Sequence, residues 1–389
     1  MYRRNSFSYR SERKKRRIRA VIGVVLTAAV IILSAIAFII IKNNRDILFE
    51  KGNQPLPTKE PVPTVAPTAT PTPTPTPVIY PEKDVAGLNI QKLGSILLVG
   101  DAAYQYYAFM KGATDHYIET IRTAAKRLEG IANVYNILIP TGMDIILPKS
   151  VRDEAGTGNQ LEAMEYIYGG ITDGTDVIPV PIYETLKEHC DEYIYFRTDH
   201  HWTALGAYYA YVQFAKAAGF EPESITDYES VTFPDFLGSF YTESKKNKNL
   251  KANPDDVIAY YPNAQATLRF TEKNGNVMDW FVISDVSKWK PGTKYSTFIG
   301  GDNPYTVIEN QEMEEGPSIV VLKESFGNAF VPFLVDHYKT VYVIDYRYYQ
   351  GEFKSFIEEK GVRDVLFLNN MLMTGTQTLI DSLNKVVTR

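Results

Sequence analysis

The 389-residue sequence predicts an α/β fold: a parallel sheet covered by helices on both faces, broken by a partly β insertion and preceded by one transmembrane helix. Three observations carry this. Short runs of Val, Ile and Leu alternate with helical stretches, the signature of a sheet buried on both sides. The rhythm stops over 222–316 and then resumes. An uninterrupted apolar run near the N-terminus is long enough to cross a bilayer.

In chain order, residues 1–19 carry nine Lys or Arg and one acid, Glu12, and read as a basic cytoplasmic tail. Residues 20–41, AVIGVVLTAAVIILSAIAFIII, read as the membrane helix. The basic flank holds the N-terminus inside, so the rest of the chain faces outward. The competing reading is a cleaved signal peptide, whose apolar core is only ~7–15 residues and ends at a small-x-small site. Here the run is longer and is followed by Lys42, Asn43, Asn44 and Arg45. Residues 42–86 read as a Pro/Thr-rich linker, whose stretch PLPTKEPVPTVAPTATPTPTPTPVIYP makes an extended spacer of ~27 residues reaching about 80 Å, or else a disordered tether.

The body spans 87–389. Within it, 95–101 reads as a strand or hairpin arm, 114–129 as a helix, 134–142 as a strand and 192–196 as a strand. Residues 203–219 read as a helix with Thr203 as its cap and Gly219 as its stop. After the insertion come a strand at 318–322, a helix at 326–338, a strand at 341–345, a helix at 352–360, a strand at 365–369 and a closing helix. Sites in such sheets lie beyond the carboxyl ends of the strands.

The net charge of −5 conceals an acidic, Tyr-rich body behind a basic tail, a poor match for nucleic acid. The single cysteine, Cys190, cannot form an internal disulfide and rules out a cysteine-based zinc site. An outward-facing domain without disulfides fits a bacterial surface, of Gram-positive type.

Three polar clusters follow predicted strands. They are Thr198-Asp199-His200-His201-Trp202, Lys323-Glu324-Ser325-Phe326-Gly327-Asn328, and Asn369-Asn370. Together they hold the parts of an activated serine: Ser325 as nucleophile, a histidine as base, and Asp199 to orient the ring. An amide and the N–H groups of a helix start would cradle an oxyanion. Taken singly, each has a plainer reading: a helix cap, a polar helix start and a turn. A metal site is the other chemical reading of Asp-His-His. It needs further ligand clusters, and His116, His189 and His337 stand alone in the sequence. Trp202 and Tyr208 suit either a sugar-binding groove or the core, as do Trp280 and Trp289.

The TDHHWT segment resembles the signature of the DHHW family of bacterial surface proteins. "LKESFGNAFVPFL" and "STFIGGDNP" (296–304) fit the same family. That family is similar to the SGNH-hydrolase-like acetyltransferase domains of alginate O-acetylation, which carry Asp-x-His before the serine. The resemblance covers roughly 85–389. It implies a flavodoxin-like three-layer α/β/α sandwich, circularly permuted because the serine here follows the Asp–His pair. It implies Asp199 and His201 as the acid–base pair and Ser325 as nucleophile, with His200 packing or binding substrate. Asn369 or Asn370 takes the oxyanion position. Arg347 stands where a glycine donor is expected, or holds substrate. Phe326 and Trp202 complete the substrate-binding set.

The implied activity is serine O-acyltransfer or ester hydrolysis, with acetyl as the group moved, on cell-surface polysaccharide or peptidoglycan. No cofactor and no metal are implied, and a membrane-bound O-acyltransferase is the expected donor partner. The alternatives are a non-catalytic glycan-binding module and a metal-dependent phosphoesterase.

Overall fold

The computed structural model describes residues 83–389. The expected tail (1–19), membrane helix (20–41) and most of the linker lie outside them. Among the described residues, no helix is long and apolar enough to cross a membrane. Packing begins at the last linker residues: Lys83 Nζ donates to Tyr104 Oη at 3.0 Å, and Val85 packs against a small apolar cluster.

A three-stranded antiparallel sheet opens the body, from β1 (Ile90–Leu93), β2 (Ile96–Val99) and β3 (Ala102–Gln105). Helix α1 (Lys111–Leu128) leads into β4 (Asn133–Ile139), helix α2 (Gln160–Thr172) and the short edge strand β5 (Ile178–Pro179). Helix α3 (Ala204–Ala217) is capped by Thr203, whose hydroxyl accepts from the Gly206 N–H, and Gly219 follows with φ +79°. The insertion supplies a separate hairpin, β6 (Ser230–Phe236) and β7 (Asp255–Tyr260), then β8 (Ala266–Thr271), β9 (Val277–Trp280) and β10 (Tyr305–Asn310). The final third holds β11 (Ser318–Lys323), β12 (Thr340–Asp345), helix α4 (Phe353–Lys360), β13 (Asp364–Asn370) and helix α5 (Gln377–Val387).

The main sheet has eight strands in the order β5-β4-β13-β11-β12-β10-β8-β9. From β5 to β12 every pairing is parallel, and β10, β8 and β9 extend it antiparallel. Counted from β11, the parallel strands run 2-1-3-4-5, the order of flavodoxin-like sheets. The insertion is therefore partly β, as read from the sequence, but most of its strands lengthen the central sheet.

Strand alternation shows how the sheet is covered. Successive side chains point to opposite faces. Asn136 of β4 donates to Tyr117 Oη on α1 at 2.8 Å, while its neighbour Tyr135 meets Phe214 of α3 edge-on at 5.3 Å. Helices α1 and α3 thus lie on opposite faces.

Two expected elements differ. Residues 192–196 are not a strand of the sheet; they make one isolated bridge, Tyr195 to Trp202. Their apolar side chains are buried, but the N–H groups of Arg197 and Thr198 just after them donate to the Asp255 carboxylate, at 2.9 and 2.7 Å, in place of a strand. The helix at 326–338 is one α turn, Gly327–Phe330, followed by a 3₁₀ turn, Val331–Leu334. Pro332 lacks the N–H that a continuing helix needs. Helix α2 went unread, although Ala163, Met164, Ile167 and Ile171 mark its buried face.

Candidate active site

The parallel strands β11, β12 and β13 end together. Lys323, the last residue of β11, pairs with Asp345 and Leu368. Ser325 lies two residues beyond β11, beside the β11–β13 crevice where the strand order reverses. Topology offers a binding site at such a switch point.

Asp199, His201 and Ser325 form one hydrogen-bonded line there. His201 Nδ1 is 2.6 Å from Asp199 Oδ1, and His201 Nε2 is 2.7 Å from Ser325 Oγ. The Asp-His segment enters from the loop before α3, closed by the Tyr195–Trp202 bridge, and not from a strand end. Asp199 is held at both oxygens: Oδ1 also accepts the His201 N–H at 3.0 Å, and Oδ2 accepts the Ser239 N–H at 2.7 Å. Burial alone would raise its pKa. The neighbouring His201 and His200, with these hydrogen bonds, outweigh it and hold the carboxyl well below its ordinary range.

The imidazole of His201 is packed between rings. Tyr295 stacks on it at 4.1 Å between centroids and 12° between planes. His200 lies at 3.9 Å and 35°, and Phe326 at 4.8 Å and 54°. His200 Nδ1 is 2.6 Å from Ser239 Oγ.

The remaining expected residues fall into different surroundings. Trp202 is fully buried, and its Nε1 donates to the Phe326 carbonyl at 2.9 Å. It supports the serine loop from below and lines no groove. Tyr208 is likewise buried, and its hydroxyl donates to the Glu223 carbonyl. Asn369 belongs to the core: Oδ1 accepts from Tyr117 Oη at 3.0 Å, and Nδ2 faces Tyr346 Oη at 3.5 Å. Asn370 spends its side chain on backbone, donating to the Ile139 carbonyl and accepting from the Leu372 N–H. Arg347 grips Asp345 through Nε at 2.8 Å and through a terminal nitrogen at 2.6 Å, which also meets Asp302 at 2.8 Å. Its charge is matched within the protein.

Two main-chain N–H groups beside the serine, those of Phe326 and Asn370, are engaged as well. Glu324, buried beside Ser325, accepts the Phe326 N–H at 3.0 Å and the Asn370 N–H at 2.7 Å. Burial raises its carboxyl pKa against the pull of those two donors. Glu324 ties the serine loop to the end of β13.

Tyr295 and Ser239 escaped the sequence reading, while Glu324 and Asp302 lay inside segments it quoted but were given no role of their own. Asp302 accepts from Lys323 Nζ and from Asn328 Nδ2, each at 3.0 Å, and so ties the insertion to the serine loop. It lies in "STFIGGDNP", a segment already singled out. Tyr295 and Ser239 sit in a stretch with no periodicity, and only three-dimensional packing brings them in.

Asp199, His200 and His201 could in principle hold a cation, with ligand atoms within 4.8 Å of one another. Yet each ring nitrogen of His201 already faces a protein oxygen, and His200 Nδ1 faces Ser239. The set is arranged for proton transfer.

Comparison with known proteins agrees with this architecture. A family model described as "DHHW protein" matches residues 82–344. A DHHW family protein from Eubacterium siraeum DSM 15702 is 27% identical, with 77% of this chain and 99% of that one covered and a TM-score of 0.70. Bacillus cereus PatB1, solved with a sulfonyl adduct, is 21% identical over 76% of this chain and 99% of that one, with a TM-score of 0.60. The O-acetyltransferase domain of Pseudomonas putida AlgJ is a looser neighbour, 11% identical over 78% of this chain and 100% of that one, at 0.40. No curated protein matches. With two thirds of its length matched by the family model, the chain belongs to the DHHW family, and the four residues spelling that name are Asp199, His200, His201 and Trp202.

Proposed function

We propose that the protein is a serine O-acyltransferase or acyl-esterase that moves an acetyl group on cell-surface polysaccharide or peptidoglycan. The observation that carries this is the imidazole of His201, 2.7 Å from Ser325 Oγ on one side and 2.6 Å from Asp199 on the other. Both lie within the hydrogen-bond reach a base and nucleophile need.

In the proposed reaction, His201 Nε2 takes the Ser325 proton as Oγ bonds to the acyl carbonyl carbon. The donor's leaving group departs with that proton, leaving an acyl-serine. The same nitrogen then takes a proton from a sugar hydroxyl or from water. The new oxygen bonds to the carbonyl carbon, and Ser325 recovers its hydrogen. Asp199 stays ionised throughout and steadies the imidazolium.

The 2-1-3-4-5 order counted from β11 supports reading the body as a circularly permuted SGNH-like sandwich. Ser325 then follows its first strand, as a nucleophile of that fold would. In the same proposal, residues 20–41 anchor the chain in the cell membrane and 42–86 lift the body outside the cell. A membrane-bound O-acyltransferase supplies the donor. Protease added to intact cells then releases a fragment beginning within 50–85; full protection reverses this orientation.

The enzymatic test is turnover of a fluorogenic acetyl ester by the full chain. Loss in Ser325→Ala and in His201→Ala, with no effect of chelator, is the expected result. Glycan binding without turnover identifies a non-catalytic module. Chelator-sensitive turnover of a fluorogenic phosphate ester, with the acetyl ester left intact, identifies a metal-dependent phosphoesterase.

A further inference from the structure

We infer that Tyr295 is a positioning residue that sets the His201–Ser325 separation from both ends. The inference rests on the reading of Ser325 as nucleophile. Tyr295 comes from the insertion, on the 3₁₀ turn Pro291–Thr297, and it touches both partners of the couple. Its ring lies flat on the imidazole, and its hydroxyl donates to the Ser325 carbonyl at 3.0 Å.

A hydrogen bond to Asp199 fixes where His201 Nδ1 sits. It does not stop the ring from pivoting about that bond and carrying Nε2 off the serine. Flat contact stops the pivot. Two rings within about 4 Å of one imidazole cannot share a face. With Tyr295 at 4.1 Å and His200 at 3.9 Å, both faces are covered. The tyrosine is itself held by the edges of Phe196 and Phe298, at 6.1 and 5.4 Å. It is buried, and burial pushes its phenol well above the usual range, so it remains a donor. The hydroxyl then fixes the main chain from which Ser325 Oγ projects.

The test uses phenylmethanesulfonyl fluoride, a serine-directed reagent, with the labelling rate read by intact-protein mass. Tyr295→Leu removes the flat ring, and Tyr295→Met fills the same space flexibly should the first variant fold poorly. Both are expected to slow labelling of Ser325 on the order of 10²-fold, the cost of a misplaced reacting group. Tyr295→Phe keeps the ring, loses one hydrogen bond and slows labelling about tenfold or less. With the acetyl ester, the loss falls on kcat and leaves KM within about twofold. Labelling of folded Leu and Met variants at the wild-type rate overturns the inference, as does equal slowing by Phe and Leu. Wild-type protein labelled no faster than Ser325→Ala removes the nucleophile itself, and the inference with it.

Discussion

A Cβ placed on Gly238 would lie 2.2 Å from Asp199 Oδ2 and 2.3 Å from Asp199 Cβ, so the two residues leave no room for a methyl group between them. The contact seats the carboxylate against the Ser239 N–H, 2.7 Å away. Gly238→Ala must push Asp199 off that donor. The expected cost is about 1–3 kcal/mol of stability from overpacking. Turnover falls on the order of 10²-fold as His201 loses its anchor. Denaturant melts alongside acetyl-ester kinetics check this; unchanged kinetics would show that Asp199 is free to shift without consequence.

Asn369 sits near the serine in the fold but inside the core. Asn369→Ala strips partners from Tyr117 and Tyr346 and is expected to cost about 1–3 kcal/mol. Its kcat should stay close to wild type, measured well below the melting temperature. Loss of an oxyanion donor costs about 10²–10³ in kcat, and a loss of that size would return Asn369 to the site.

Lys323, almost fully buried, lies 3.0 Å from Asp302 and 3.4 Å from the fully buried Asp345. Lys323→Met leaves two carboxylates to share Arg347. Breaking such a buried set from one side costs about 3–5 kcal/mol. Urea unfolding of the variant reads it directly. A change within experimental error would mean that Arg347 alone neutralises both acids.

His200 gives the site a dependence on pH. Burial, and then the neighbouring His201, push its pKa from 6.5 down to about 4, against the pull of Asp199. The unfolded chain therefore takes up this proton near pH 6.5 and the folded one only near 4. Stability linked to this ring is complete above that window and declines as the pH falls through it. The melting temperature of the wild type should drop more steeply from about pH 7 to about pH 4 than that of His200→Gln. Parallel curves would show that His200 protonates alike in both states.

Much of this was legible in the sequence because it depends on local pattern. Runs such as SIVVL and VLFLN declare buried parallel strands, and Thr203 and Gly219 bound a helix where capping chemistry places them. Asp199, His201 and Ser325 stood out because each lies in a dense polar cluster beside apolar sequence. The same reasoning misplaced 192–196, since a short run of buried Ile, Tyr and Phe looks like a strand even where its own N–H groups turn back to Glu192 and His201. It left the oxyanion position to Asn369 or Asn370 because neighbours on a strand point to opposite faces, and only the packing against α1 shows that Asn369 turns into the core. Tyr295 and Ser239 carry no local signal, because their positions follow from how the insertion folds back over the sheet.

That folding back has an evolutionary consequence. The insertion grips Asp199 by a main-chain N–H at Ser239 and covers His201 with one ring at Tyr295. Its hairpin tip at 273–276 is solvent-exposed and forms part of neither grip. The tip stands at the outer edge of the sheet, with β12 and β10 between its strand and β11, so rebuilding it leaves the proton's path as it was. A change of length or sequence there is thus free to alter the outer edge of the body without touching the line from Asp199 through His201 to Ser325.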